Sequence, residues 1–286
     1  MKVEIDPAAG FCGGVRRAIR RAERAAEEHD DKLFSLGELV HNESEVERLR
    51  KLGVEVSGCD RLKALRGSTV LVRAHGEPPE TYKIAEDAGV KVIDATCPVV
   101  LKLQNKISET ALMVDETGGT LVIYGKKDHP EVKGLTGYSN GRAIVVNNPE
   151  EAAQLEPELP VYLFSQTTMS REGLNKVAEV IKEKTGSGNL FVTDSICGQV
   201  YGRAPHLRAF AASFDVIVFV SGKKSSNGRY LFSVCKEANP NSYFVTGPDD
   251  INKRWFKGFE SVGISGAAST PVNELEEAAK KIESLH

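Results

Sequence analysis

The feature that most constrains this chain is a regular alternation of short, near-continuously apolar runs with amphipathic stretches. The runs are VEI (3–5), LFSLG (33–37), TVLVRAHG (69–76), KVIDATC (91–97), TLVIYGK (120–126), RAIVVN (142–147), VYLFSQT (161–167), LFVTDSIC (190–197), DVIVFVSG (215–222), SYFVTG (242–247) and SVGISG (261–266). A strand that is apolar along its whole length is buried on both faces, as in a parallel sheet covered by helices. Between the runs, 16–28, 99–114, 171–184 and 273–285 carry helix-forming residues. Such alternation makes βαβ units and an α/β class with mainly parallel sheets.

Three of the runs lead into a cysteine: GFCGG at Cys12, DATCPVV at Cys97 and DSICGQV at Cys197. Their separations, 97 − 12 = 85 and 197 − 97 = 100 residues, are each close to a third of the 286-residue chain. The recurrence predicts three similar α/β lobes, over 1–96, 97–193 and 194–286, each offering one cysteine at a carboxyl-end loop. In open α/β sheets such loops are where ligands bind.

The net charge of −3 argues against a nucleic-acid partner and leaves any anionic ligand to local groups. No apolar run approaches the ~20 residues that cross a bilayer, and MKVEIDPAAG has no signal-peptide pattern. The expectation is a cytoplasmic protein without a membrane partner. The five cysteines are odd in number and include no CxxC, so neither a disulfide framework nor a zinc ribbon is indicated.

A single cysteine is most often a packing residue. Cys59, in the polar stretch SGCDR, and Cys235, mid-helix in YLFSVCKEA, fit that description. Cys12, Cys97 and Cys197 share a strand-end context instead. Three converging thiolates suit zinc or an iron–sulfur cluster. A closed structural zinc needs a fourth ligand, whereas a cluster can leave one iron open to substrate.

Histidines and small polar residues occupy comparable loop positions. His41 (VHN), His75 (RAHGEP) and His129 (KDHPEVKG) sit past strands, whereas His29 and His286 look incidental and His206 structural or exposed. KKSSNGR places Ser225, Ser226 and Asn227 ahead of a helix, which is ordinary capping chemistry but also an anion site. GAASTP adds Ser269 and Thr270, with Pro271 at the first turn of a helix, and SQTT adds Thr167. Together they suggest a pocket for a diphosphate-sized anion beside a thiolate-bound metal centre. Glu131 in HPEVKG reads either as a surface carboxylate beside Lys133 or as an acid at that pocket.

GFCGGVRRAI, LVHN, AHG, DATCP, HPEVKG, SQTT, DSIC, SSN and GAASTP, in this order over residues 10–271, resemble the 4-hydroxy-3-methylbut-2-enyl diphosphate reductases, the LytB family. The resemblance implies three α/β lobes in a pseudo-threefold arrangement around a 4Fe–4S cluster held by Cys12, Cys97 and Cys197, with one iron open. It implies substrate binding by His41, His75, His129, Thr167, Ser225, Ser226, Asn227 and Ser269, and catalysis by Glu131 as proton donor with Thr167 beside it. The implied reaction is reductive dehydroxylation of the allylic diphosphate to isopentenyl and dimethylallyl diphosphates, the last step of the methylerythritol phosphate route. The resemblance also implies a ferredoxin or flavodoxin as electron donor.

The chain departs from the family pattern in two places. After Cys197 many members read A-T-x-x-R-Q; here Gln199 and Val200 stand for the small residue and the threonine, while Arg203 keeps its place. RAHGEP also replaces the more frequent SAHGVS. Two other classes compete with the reductase: a zinc hydrolase using the cysteines and histidines, and a metal-binding redox sensor without turnover. A sensor has no use for a proton donor beside His129.

Overall fold

The structure is a computed structural model that describes residues 1–28 and 32–285, without the side chain of Val200. His29 and His286 lie outside the described residues. Strands run β1 (Lys2–Ile5), β2 (Leu33–Leu36), β3 (Val54–Ser57), β4 (Thr69–Val72), β5 (Lys91–Asp94), β6 (Thr120–Tyr124), β7 (Ile144–Val146), β8 (Val161–Ser165), β9 (Leu190–Val192), β10 (Val216–Val220), β11 (Ser242–Val245) and β12 (Ser261–Gly266). Helices run α1 (Gly13–Glu28), α2 (Glu43–Lys51), α3 (Pro79–Asp87), α4 (Pro98–Thr117), α5 (Pro130–Tyr138), α6 (Pro149–Ala153), α7 (Arg171–Thr185), α8 (Gly198–Tyr201), α9 (Arg203–Ala212), α10 (Ser226–Ala238) and α11 (Val272–Ser284).

The strands form three four-stranded sheets, parallel throughout, in the orders β3-β2-β4-β5, β7-β6-β8-β9 and β1-β12-β10-β11. Read from the other edge, the last is β11-β10-β12-β1. All three then share one order: the second strand, the first, the third, and a fourth at the far edge. In the third sheet that fourth place is taken by β1, from the other end of the chain, which pairs with β12 from Lys2 opposite Ser261 to Ile5 opposite Ile264. Sheet membership therefore parts from chain order at this strand.

The chain divides into two compact units, one of Met1–Arg16, Val40–Arg48 and Gly198–His286, the other of Arg17–Leu39 and Leu49–Cys197. The first unit holds the sheet of β1, β10, β11 and β12. The all-apolar run VIVFV explains its layering. Val216, Val218 and Val220 pack with Leu275, Ala278 and Ile282 of α11, while Ile217 and Phe219 pack with Leu207, Phe210 and Ala211 of α9 and with Leu231 of α10. Alternate residues of one strand thus feed opposite cores, as a strand covered on both faces requires.

The second unit holds the other two sheets. β6 repeats the arrangement: Val122 and Tyr124 pack with Leu174, Val177 and Ile181 of α7, and Leu121 and Ile123 with Leu103, Ile107 and Ala111 of α4. Val70 and Val72 of β4 pack with Ala85 of α3 and with Leu62 and Leu65 of the 3₁₀ turn Cys59–Leu65.

Two readings of the sequence need correction. The strands are shorter than the apolar runs: β4 ends at Val72, β5 at Asp94, β8 at Ser165 and β9 at Val192. Past β5, as past β1, an aspartate side chain satisfies a turn as the chain leaves the ladder. Asp94 Oδ1 accepts the Thr96 N–H at 2.8 Å, and Asp6 Oδ1 accepts the Ala8 N–H at 2.8 Å. Such aspartate turns end strands. Second, β3 was not expected. VEVS is an edge strand whose Glu55 and Val56 are exposed, so its apolar content is low.

Candidate active site

The shared strand order sorts the expected site residues. Past the first strands of the three sheets, β2, β6 and β10, come His41, the pair His129 and Glu131, and the triplet Ser225, Ser226 and Asn227. Past the third strands, β4, β8 and β12, come His75, Thr167 and Ser269. Past the edge strands β5, β9 and β1 come Cys97, Cys197 and Cys12. All lie beyond carboxyl ends, as the α/β binding rule expects.

In the second unit these residues are joined contact by contact. Past β4 the chain turns at once, the Gly76 N–H donating to the Arg73 carbonyl at 3.0 Å. Gly76 has φ 74°, and a side chain there would collide with the Gln104 amide, so the turn needs glycine. The Cys97 N–H donates to the Ala74 carbonyl at 3.0 Å, which ties the His75 turn to the N-cap residue of α4. The His75 and His129 rings meet edge to face, 5.3 Å apart.

His129 caps α5, with Nδ1 accepting the Glu131 N–H at 3.2 Å. That bond leaves the proton of the neutral ring on Nε2. Glu131 is the second residue of α5 rather than part of a loop, and it is 1% exposed. The surface pairing with Lys133 is thereby overturned. Its carboxyl takes two hydrogen bonds from Thr167: N–H to Oε1 at 2.6 Å and Oγ1 to Oε2 at 2.8 Å. Burial pushes this carboxyl up to about 7, against the pull of the two Thr167 bonds. The Thr167 carbonyl in turn accepts the Cys197 N–H at 2.8 Å.

The first unit carries a second connected set. The Cys12 N–H donates to the Ala268 carbonyl at 3.1 Å, and Cys12 Sγ accepts the Val15 N–H at 3.5 Å at the start of α1. The Ala268 N–H donates to Asn227 Oδ1 at 2.8 Å. The Ser225 and Ser269 hydroxyls lie 3.1 Å apart, and Ser225 Oγ caps α10 by accepting the Gly228 N–H at 3.0 Å. Asn227 Nδ2 is buried with no hydrogen-bond partner among the described residues. A buried unsatisfied amide costs about 1–3 kcal/mol, which an anion placed there would relieve. Ser226, half-buried, is the first residue of α10. Pro271 stands just ahead of α11 as its N-cap, one residue earlier than the sequence suggested.

His41 is braced by residues that the sequence did not single out. A side chain at Gly222 would collide with the His41 carbonyl. The next residue, Asn42, donates from Nδ2 to Glu274 Oε2 at 2.8 Å, and Ser44 Oγ donates to Glu274 Oε1. Asn42 Oδ1 caps the following helix by accepting the Glu45 N–H at 2.9 Å. Glu274 is 4% exposed, and burial raises its carboxyl pKa.

The two remaining cysteines differ in kind. Cys235 is fully buried in α10 among apolar side chains, and burial pushes its thiol up to about 12. Cys59 opens a 3₁₀ turn, donates to Glu77 Oε2 at 3.4 Å, and is pushed up to about 11 by burial and by Glu77. His206 is half-exposed and lies 2.7 Å from Asp6 Oδ1. None of the five cysteines is in a disulfide.

The family model described as LytB protein matches residues 3–283. The chain belongs to the LytB family. Among curated LytB relatives it is 48% identical over 285 residues to the 4-hydroxy-3-methylbut-2-enyl diphosphate reductase of Porphyromonas gingivalis, covering 99% of both chains. To that of Bacteroides fragilis it is 46% identical over 283 residues, covering 99% of this chain and 97% of the other. A solved structure described as (E)-4-hydroxy-3-methyl-but-2-enyl diphosphate reductase, the terminal enzyme of the non-mevalonate pathway, matches with TM-score 0.72 at 36% identity, over 99% of this chain and 100% of that one. The structure of the Plasmodium falciparum reductase shares the fold with TM-score 0.89 at 24% identity, over 98% of this chain and 87% of that one.

In the stretch after Cys197, Gln199 is exposed on α8 and Arg203 opens α9, while the side chain of Val200 lies outside the described residues. Among the described residues, no helix is long and apolar enough to cross a membrane.

Proposed function

We propose that this LytB-family chain is a reductase that converts (E)-4-hydroxy-3-methylbut-2-enyl diphosphate to isopentenyl and dimethylallyl diphosphates. The hydroxyl leaves as water, and each turnover takes up two electrons and two protons. The observation that carries the reading is Glu131: a fully buried carboxyl bonded to Thr167, with a pKa near 7. A buried acid that keeps its proton near neutrality is suited to protonating a poor leaving group or an allylic fragment.

The residues present fit a 4Fe–4S cluster held by Cys12, Cys97 and Cys197. All three are half-buried, and each stands immediately ahead of a helix, α1, α4 or α8. Cys59 and Cys235, whose thiols burial keeps protonated, fit poorly. When bound, the cluster would supply electrons and an open iron acting as Lewis acid.

The chain's own groups do the rest. Asn227 Nδ2, the Ser225 and Ser269 hydroxyls and the first-turn N–H groups of α10 at Ser226 bind the diphosphate, since helix N-termini attract anions. His41, His75 and His129 add donors, with His129 offering its Nε2 proton. Thr167 orients the Glu131 carboxyl and touches substrate with its hydroxyl. The electron donor is a ferredoxin or flavodoxin, and the compartment is the cytoplasm.

Anaerobic purification with iron and sulfide analysis, followed by turnover with a chemical reductant, tests the proposal. About four irons and four sulfides per chain with turnover support it. A colourless zinc protein, or a cluster protein without turnover, contradicts it.

A further inference from the structure

Arg73 and Glu77 stand on either side of His75 in the stretch RAHGEP, and the structure makes these two residues partners. Arg73 donates to Glu77 Oε1 from Nη2 at 3.0 Å and from Nε at 3.3 Å. The two side chains are only 15% and 7% exposed. The other carboxylate oxygen, Oε2, accepts the Cys59 thiol at 3.4 Å. Gly37, just past β2, leaves the space: a side chain there would collide with the Arg73 guanidinium. The pair therefore closes the two ends of a short turn whose middle residue is His75, and it anchors that turn to two neighbouring segments of the same unit.

We propose that the Arg73–Glu77 ion pair is a positioning device for His75. The proposal rests on the reading of His75 as a substrate-binding residue. The histidine sits two residues from each partner, so the direction of its ring follows where the pair holds the turn ends. Both charges are largely out of water, and such a pair holds only while both members are present, because removing one leaves a buried charge without a counterpart. Cys59 keeps its proton and acts as a hydrogen-bond donor that fixes the carboxylate from the other side. The same turn carries the Ala74 carbonyl that binds the Cys97 N–H, so activity alone cannot separate effects on His75 from effects on Cys97.

The test uses the cluster-loaded enzyme and reads KM for the allylic diphosphate, with rates normalised to iron content. Glu77→Gln keeps the shape and one acceptor oxygen while removing the charge; Arg73→Met removes the other member and guards against a failure of the first variant to fold. Either change should raise KM about fivefold or more with kcat per iron within about twofold. In a His75→Ala background the same change should raise KM less than about twofold, because two groups acting through one contact are not additive. An unchanged KM, or an equal rise in both backgrounds, overturns the proposal while leaving the functional reading intact. If His75→Ala alone keeps the wild-type KM, the substrate-binding reading of His75 falls and takes the proposal with it.

Discussion

Thr167 holds both carboxylate oxygens of Glu131, with N–H to Oε1 at 2.6 Å and Oγ1 to Oε2 at 2.8 Å, although the two residues are 36 positions apart. The contact joins the loop past β8 to the first turn of α5. Burial, opposed by these two bonds, sets what the carboxyl does with pH. Burial lifts its pKa from 4.5 to about 7 in the folded chain. Folding therefore favours the protonated form. The stability this group contributes is fully present below pH 4.5 and is lost as pH rises through 7.

Glu131→Gln should therefore separate stability from activity. A shift from 4.5 to about 7 corresponds to about 3 kcal/mol carried by the ionised form at high pH. Glutamine keeps both Thr167 contacts without the charge. The variant should melt above the wild type at pH 8 and close to it at pH 5. Thermal denaturation across that range checks this; an equal difference at both pH values would show that Glu131 does not titrate there.

Cysteine substitutions should fall into two groups. Cys12→Ser, Cys97→Ser and Cys197→Ser should lose most of the iron. Cys59→Ser and Cys235→Ala should retain it, with a stability loss of about 1–3 kcal/mol at most. Iron analysis after anaerobic reconstitution is the measurement. Full iron in Cys197→Ser would remove that residue from the ligand set.

The clamp past β10 makes a prediction with a sign. Asn227 Oδ1 is already used by the Ala268 N–H, and only Nδ2 is left for a ligand. Asn227→Ala should weaken substrate binding about ten- to hundredfold. Asn227→Asp should weaken it more, since a carboxylate oxygen then faces the diphosphate. Calorimetry with the diphosphate and with the free alcohol distinguishes the cases. Equal affinity of the wild type for the two ligands would contradict the clamp.

Glu274→Ala should cost about 1–3 kcal/mol by stranding the buried Asn42 amide and the Ser44 hydroxyl. Glu274→Gln should recover most of it, because glutamine can pair with both. Chemical denaturation of the variants measures the difference. An Ala variant as stable as the wild type would show that the brace behind His41 contributes nothing.

What was legible in the sequence follows from what is local. VIVFV and TLVIY announce buried strands because each residue, whichever face it points to, meets a core. Thr167 and Asn227 follow such runs, which is why the sequence singles out their loops. β3 was not legible, since an edge strand with exposed Glu55 and Val56 lacks the apolar signal. From its neighbours alone Glu131 reads equally as a surface partner of Lys133 or as a pocket acid; its burial beside Thr167 in the first turn of α5 has no local signal. The bond between Asn42 and Glu274 spans 232 positions and leaves no local trace. The pairing of β1 with β12 is likewise a long-range fact that no pattern within residues 1–12 announces.

The measurement that tests the account most directly is single-turnover and steady-state reduction of the allylic diphosphate by Glu131→Gln and wild-type enzyme. Both would be loaded with cluster anaerobically and driven by a chemical reductant that bypasses the protein donor. The account predicts matched iron content, matched substrate binding, and turnover lower by about 10²–10⁴-fold in the variant. Wild-type turnover in Glu131→Gln would contradict it and move the proton source to another group.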